Sequence, residues 1–368
     1  LSWVDDIFRV RGPFKTRLNK LRLDKNERIS IFEKSFFNRI LKKIKHEHLL
    51  AYPETEALYD LLAKKLKVSR NSLVLTAGAD AALRSCFDLC VRPGDTVITL
   101  YPTFAMVDIY VKFFRAKQIK IKYRSDLKLD FRKLINSITT KVSLIVFANP
   151  NSPTGTILSY DQIVGILKKA YFNGVSVLID EAYFGFSKYT ALPLLKRFSN
   201  LIIARTFSKS FGLAGCRAGY LIAQPKIASR LYRLRPMYEV NSIAILMVTA
   251  LLKNEKFVRK YLNETNLGKK YLISKKFEHE FKNKELSKLV VLLYELNKTK
   301  FTKDILKHLA TINVGEGSEI FAGNLAISIG RYDYAIQIAT QASYKKRLHN
   351  DLNFPIIYVH SIINNKKM

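Results

Sequence analysis

The sequence predicts an α/β protein: a large domain with a mostly parallel sheet covered by helices, plus a smaller α+β domain. Three observations carry that expectation. Short, continuous apolar runs recur through residues 72–223 with helical patterns between them, and runs apolar throughout belong to strands buried on both faces. Turn-forming residues punctuate those runs. Beyond about residue 240 the pattern changes to longer helical stretches with few extended segments.

Taken in order, residues 72–76 (SLVLT) read as a strand, leading through Ala77-Gly78-Ala79-Asp80 into a helical stretch over 81–89. Arg92-Pro93-Gly94-Asp95 makes a turn into the strand 96–100. Residues 104–114 look helical, 119–123 extended, 142–147 a buried strand and 159–172 a helix. Residues 175–179 form a strand ending in Asp180, and 200–204 and 219–223 are further strands. A long helical stretch covers 242–279; after it 290–295 and 325–329 read as extended and 302–309 as helical. The division that follows is an arm over 1–45 packing with the small domain, a large domain over 46–240, and a linking helix with the small domain over 241–368.

Composition bounds the function. With 368 residues, 48% of them hydrophobic, the chain can bury a core and is not disordered. Three cysteines, Cys86, Cys90 and Cys216, exclude a disulfide scaffold and point to a reduced compartment, so a cytoplasmic location is expected. Cys86 and Cys90 have no second Cys/His pair nearby, and no metal is expected. No apolar run approaches the roughly 18 residues of a membrane span, and the first residues lack a signal-peptide pattern. The sequence opens on Leu1 rather than Met, as expected where the native start lies upstream. The net charge of +32 is large, but its lysines and arginines are dispersed, as at Lys42, Lys64, Lys168, Lys275 and Lys345. They read as solvated charge whose field concentrates anionic small molecules; nucleic-acid and membrane partners are not expected.

The chemistry concentrates between Asn149 and Arg217, at the ends of the expected parallel strands, where open α/β sheets bind ligands. Lys209 follows a strand in Thr206-Phe207-Ser208-Lys209, among hydroxyls, where an amine can serve an aldehyde cofactor. Asp180, in Asp180-Glu181-Ala182-Tyr183, is a strand-end carboxylate suited to holding a proton on a ring nitrogen, and Tyr183 is a phenol for a ring oxygen. Thr206, Ser208, Arg217 and the amides of Gly78, Ala79 and Asp80 suit a phosphate.

These residues resemble the fold-type I pyridoxal-phosphate enzymes, in particular the histidinol-phosphate aminotransferase branch. The resemblance runs from about Leu23 to Gly330 and is most specific at 206–219 (TFSKSFGLAGCRAG), 180–183 (DEAY) and 149–155 (NPNSPTG). It implies an aspartate aminotransferase-like fold, pyridoxal 5'-phosphate as cofactor, and an aminotransferase working on a small amino donor and oxo acceptor. Lys209 is then the Schiff-base lysine and proton shuttle, Asp180 the partner of the pyridinium nitrogen, and Tyr183 the holder of the ring oxygen. Phe104 stacks on the ring, and Ala79, Asp80, Thr206, Ser208 and Arg217 hold the phosphate. Tyr52 reaches that phosphate from the second subunit of a homodimer.

The chain departs from the family at three places. Ser152 stands where the family has an Asn for the ring oxygen, with Asn151 beside it. Ala326 stands where a late strand carries an anion-clamping arginine, and Val314-Gly315 where a Val-Arg pair is common. Pro13-Phe14 replaces a Pro-Tyr of the arm. Asn26, Phe14 and Arg331 are therefore the substrate-binding candidates, with Lys25 and Arg28 as further cations. Three readings stay open: a substrate that lacks the carboxylate or has it held by another residue, decarboxylation of a phosphorylated amino acid, and a non-catalytic cofactor-binding or nucleic-acid-associated regulator. With the clamp missing, Ala326→Arg is expected to improve the handling of glutamate or 2-oxoglutarate; with Arg331 in its place, the substitution is expected to add nothing.

Overall fold

In this computed structural model the described residues are 25–124, 126–272, 285–296 and 299–311, with Val4, Ile7, Ala322, Gly323, Leu325, Ala326, Ile329, Tyr334 and Ile338. Each of the seven extended runs through residue 223 forms a strand of one sheet: β1 Leu73–Thr76, β2 Thr96–Tyr101, β3 Lys117–Lys122, β4 Val142–Ala148, β5 Ser176–Asp180, β6 Leu201–Thr206 and β7 Gly219–Ala223. Their order is β1-β7-β6-β5-β4-β2-β3. β2, β3, β4, β5 and β6 pair in parallel, whereas β7 runs antiparallel to both its neighbours. The carboxyl ends of β1, β2, β4, β5 and β6 and the amino end of β7 therefore share one edge.

The inner strands are legible because their side chains are buried on both faces. Alternation sends Val74, Val146, Leu178 and Ile202 into one core and Leu75, Phe147, Ile179 and Ile203 into the other. The first core is closed by helices at Gly78–Cys90, Ala105–Phe113 and Pro225–Leu234, the second by those at Glu56–Leu66, Phe131–Ser137, Tyr160–Phe172 and Ser242–Lys253. Each such aliphatic side chain contributes about 1.5–3 kcal/mol by burial, which makes the strand ends a rigid platform.

Local signals set where elements start and stop. Ser159 and Gln162 form a reciprocal capping box on the helix Tyr160–Phe172. The stretch expected as one helix over 242–279 is two, Ser242–Lys253 and Glu255–Leu272, broken at Asn254, whose side-chain amide donates to the carbonyl of Ala250 at 2.8 Å. Residues 273–284 lie outside the described residues.

The C-terminal segments correct the sequence reading. Residues 290–295 belong to the helix Glu285–Glu295, and Leu325 and Ala326 are helical rather than extended. Short apolar runs do not distinguish helix from strand by periodicity. In the helix, Val290 is buried while Val291 and Leu292 remain exposed. Val290, Leu306 and Leu309 pack in one cluster with Ala322, Ala326 and Ile329.

Candidate active site

A cavity of about 550 Å³ opens at the shared edge of the sheet. β5 delivers Asp180, buried, with one carboxylate oxygen accepting from the amide of Ala182 at 2.9 Å. Burial pushes its carboxyl up to about 7; the Ala182 amide opposes that shift, Glu181 adds to it, and Lys209 opposes it. The following turn places Tyr183, whose hydroxyl accepts from the side-chain amide of Asn26 at 2.9 Å and also meets Ser152. Burial raises the phenol well above its usual range.

β6 runs into Thr206, Ser208 and Lys209. The Thr206 hydroxyl accepts from the Ser208 amide at 3.1 Å and lies 3.0 Å from the Ser208 hydroxyl, which fixes the loop. The Lys209 amine donates to the carbonyls of Lys25 at 2.7 Å and Asn26 at 3.4 Å. Burial brings it down to about 8; Glu27 works against that shift and Arg217 with it. Asn26 holds a left-handed backbone (φ 53), which Asn tolerates better than most residues.

The third wall lies between β1 and β7. The helix Gly78–Cys90 starts there with no side-chain cap, so its first amides are available to an anion. Gly78 has φ 87, and a Cβ on it would sit 2.9 Å from the Arg217 guanidinium. Arg217 donates to the Ser208 hydroxyl and the Ala77 carbonyl, each at 3.4 Å. Gly219 is tighter still: a Cβ there would stand 2.6 Å from the carbonyl oxygen of Arg205.

The structure thus brings Ala79, Asp80, Phe104, Ser152, Asp180, Tyr183, Thr206, Ser208, Lys209 and Arg217 to one cavity. Gly78 stands behind Arg217, and Asn26 behind Tyr183. Asn151 is turned away: its amide donates to the Pro102 carbonyl and the Thr154 hydroxyl, and its oxygen accepts from Thr103. Tyr52 does not line this cavity; it is 75% exposed and stacked on Tyr238 at 4.2 Å. Phe14 and Arg331 lie outside the described residues. Arg28 sits between the rings of Phe32 and Tyr261, 4.1 and 4.6 Å from their centroids. Ala326 is fully buried in the apolar helical cluster, which corrects its reading as a pocket position.

Sequence reasoning missed Glu27 and the small residues Ala148, Ala182 and Ala214, which also line the cavity. The alanines carry no chemical signal; Glu27 was discoverable only as the neighbour of Asn26.

The residues fit pyridoxal phosphate on the structure's own terms. An uncapped helix start, a guanidinium and two hydroxyls converge where Gly78 has no Cβ, as a phosphate requires. A buried carboxylate with a raised pKa asks for a cationic N–H, and a lysine amine of lowered pKa shares its cavity.

Comparison with known proteins agrees. The family model for aminotransferase class I and II matches residues 34–275, and the chain belongs to that family. A histidinol-phosphate aminotransferase of Caldanaerobacter subterraneus subsp. tengcongensis is 32% identical over 238 residues, 64% of this chain and 67% of its own. One from Clostridium novyi is 27% identical over 334 residues, covering 86% of this chain and 93% of its own. The crystal structure of histidinol-phosphate aminotransferase from Sinorhizobium meliloti in complex with pyridoxal-5'-phosphate superposes with a TM-score of 0.61 at 24% identity, over 67% of this chain and 68% of that one. The fold is the aspartate aminotransferase-like one. The chain is a pyridoxal-phosphate-dependent aminotransferase of the histidinol-phosphate aminotransferase-like branch.

Proposed function

We propose that the chain transfers an amino group between a small amino donor and an oxo acceptor, one of them phosphorylated, as the names of its relatives suggest. The observation that carries this reading is the pair Asp180 and Lys209: a carboxylate and an amine in one cavity, both moved toward neutrality by burial. Bound pyridoxal phosphate supplies an aldehyde that condenses with amines and a ring that draws electrons from the bonds beside the new linkage.

Asp180 keeps a proton on the ring nitrogen, and its burial makes that charge pair strong. Tyr183, backed by Asn26 and Ser152, presents its hydroxyl to the ring oxygen. Arg217, Thr206, Ser208 and the first amides of the helix Gly78–Cys90 hold the phosphate, and Phe104 covers the ring. With an amine near 8, Lys209 gives and takes a proton at Nζ in the neutral range, where general acid–base catalysis is efficient. The enzyme acts in the cytoplasm as a homodimer, with Tyr52 reaching the partner subunit's phosphate site. Among the described residues no helix is long and apolar enough to cross a membrane.

Borohydride reduction of the cofactor-loaded protein, followed by peptide mass spectrometry, tests the reading. Modification at Lys209 is expected, and its absence in loaded protein overturns the assignment. Amino acids and phosphorylated amines, screened for conversion of the bound cofactor to its amine form, then identify the donor.

A further inference from the structure

Glu181 and Arg205 are charged, 1% exposed each, and take no part in the chemistry above. We propose that Glu181, Arg205 and Thr190 are positioning residues. They form a brace on the sheet face opposite the cavity that aims Asp180, Tyr183 and Thr206. The proposal rests on the reading of Asp180 as the partner of the cofactor ring.

Glu181 and Arg205 each stand next to a cavity residue, and Thr190 ties the two together. Glu181 follows Asp180, and Arg205 precedes Thr206; because successive strand residues face opposite ways, both point away from the cavity. Ile179, Ile203 and Tyr220 share their face. The amide of Glu181 donates to the carbonyl of Ala204 at 2.8 Å, which sets the two charged residues side by side.

The contacts saturate the carboxylate. Nε and Nη2 of Arg205 both reach Oε2 of Glu181 at 2.9 Å. The Thr190 hydroxyl lies 3.0 and 2.9 Å from the two carboxylate oxygens and 2.8 Å from Nη2 of Arg205. The amide of Ala191 donates to Oε1 at 2.6 Å. The guanidinium carbon lies 3.5 Å from the ring centroid of Phe184, the residue after Tyr183.

Apolar residues often stabilise a fold as well as a buried ion pair does, so such a pair is weak evidence of a stabilising role; what it supplies is direction. Here direction matters, because the amide oriented on Asp180 belongs to Ala182, the residue after Glu181. Movement of Glu181 shifts both the backbone of Asp180 and the bond that orients its carboxylate.

The test uses the holoenzyme and compares wild type with Glu181→Gln and Thr190→Val. The readouts are the pH midpoint of the absorbance of bound pyridoxal phosphate, kcat, KM and melting temperature. The expected result for Glu181→Gln is a midpoint displaced by about half a unit or more, and kcat down about tenfold or more with KM within about threefold. Thr190→Val shifts the same quantities in the same direction by less. A lower melting temperature with midpoint and kcat unchanged makes the brace merely structural and overturns the proposal, as does no change at all. If Glu181→Gln fails to fold, Thr190→Val decides by the same criteria. A wild type that takes up no cofactor overturns the reading of Asp180, and the brace with it.

Discussion

At the scale of single residues, Asp180 and Lys209 carry opposite penalties. The folded pKa of Asp180, about 7, lies above its ordinary 3.8. Its contribution to stability is therefore full below about pH 4 and is lost as pH rises through 7. Lys209 is depressed from 10.5 to about 8, so its contribution is full above 10.5 and is lost as pH falls through 8. Cofactor-free protein is least favoured by this pair between about pH 7 and 8. The Asp180 loss is at most about 4 kcal/mol. Urea denaturation of cofactor-free protein across pH 4–7 should show that decline, and Asp180→Asn should flatten it. In turnover, Asp180→Asn should lose roughly 1,000-fold, about 4 kcal/mol, since an amide cannot hold the pyridinium charge. Steady-state kinetics on the folded, cofactor-loaded variant measures this.

Ala326 belongs to the same scale. From sequence, it stands at a vacated arginine position, where Ala326→Arg is expected to improve glutamate handling. With Ala326 fully buried among Val290, Leu306, Leu309 and Ile329, the substitution forces a guanidinium into an apolar cluster. A loss of about 3–5 kcal/mol is expected for an unpaired buried charge, seen as a lower denaturation midpoint rather than a changed donor preference.

Elements explain what was readable. β4, β5 and β6 were legible because each carries a core of consecutive apolar residues, 144–148, 177–179 and 201–204, buried on both faces; β3, with Ile119 and Ile121 on either side of Lys120, showed as a period-2 alternation instead. Helices at Lys34–Leu41 and Glu56–Leu66 were not legible, because each buries only a narrow stripe beneath a surface of charged residues. Position along the chain singled out Asp180, Tyr183 and Lys209, which share one cavity, since ends of parallel strands are where ligands bind. The commitments of Asn151 and the pairing of Glu181 with Arg205 depend on register, which local sequence does not encode. The start of the helix Gly78–Cys90 gives an element-scale prediction. Gly78→Ala places a side chain at φ 87 and 2.9 Å from the Arg217 guanidinium. Affinity for pyridoxal phosphate should fall by about tenfold or more, measured by fluorescence titration.

At the scale of the whole molecule, a second concavity collects Leu49, Tyr52, Pro53, Met237 and Tyr238. Leu49, Leu50, Tyr52 and Met237 are 69, 83, 75 and 76% exposed, a concentration of apolar surface expected at an interface. Met237→Glu should convert the proposed dimer to monomer, checked by light scattering, and weaken cofactor retention at the same time. A monomeric wild type would remove the assigned role of Tyr52.

The strand order also dictates a schedule for synthesis. β1 precedes β7 by more than a hundred residues, yet the two are hydrogen-bonded neighbours, and Gly219 pairs with both Thr76 and Thr206. The proposed phosphate cradle joins residues just after β1, at and just after the end of β6, and just before β7. A nascent chain still lacking residues 217–223 has neither the arginine nor the strand that closes the gap. Long-range pairings of this kind form late, so the cradle matures only after the ribosome has released β7. On the proposed assignment, the cofactor's phosphate then has its full set of partners only on chains whose sheet is finished.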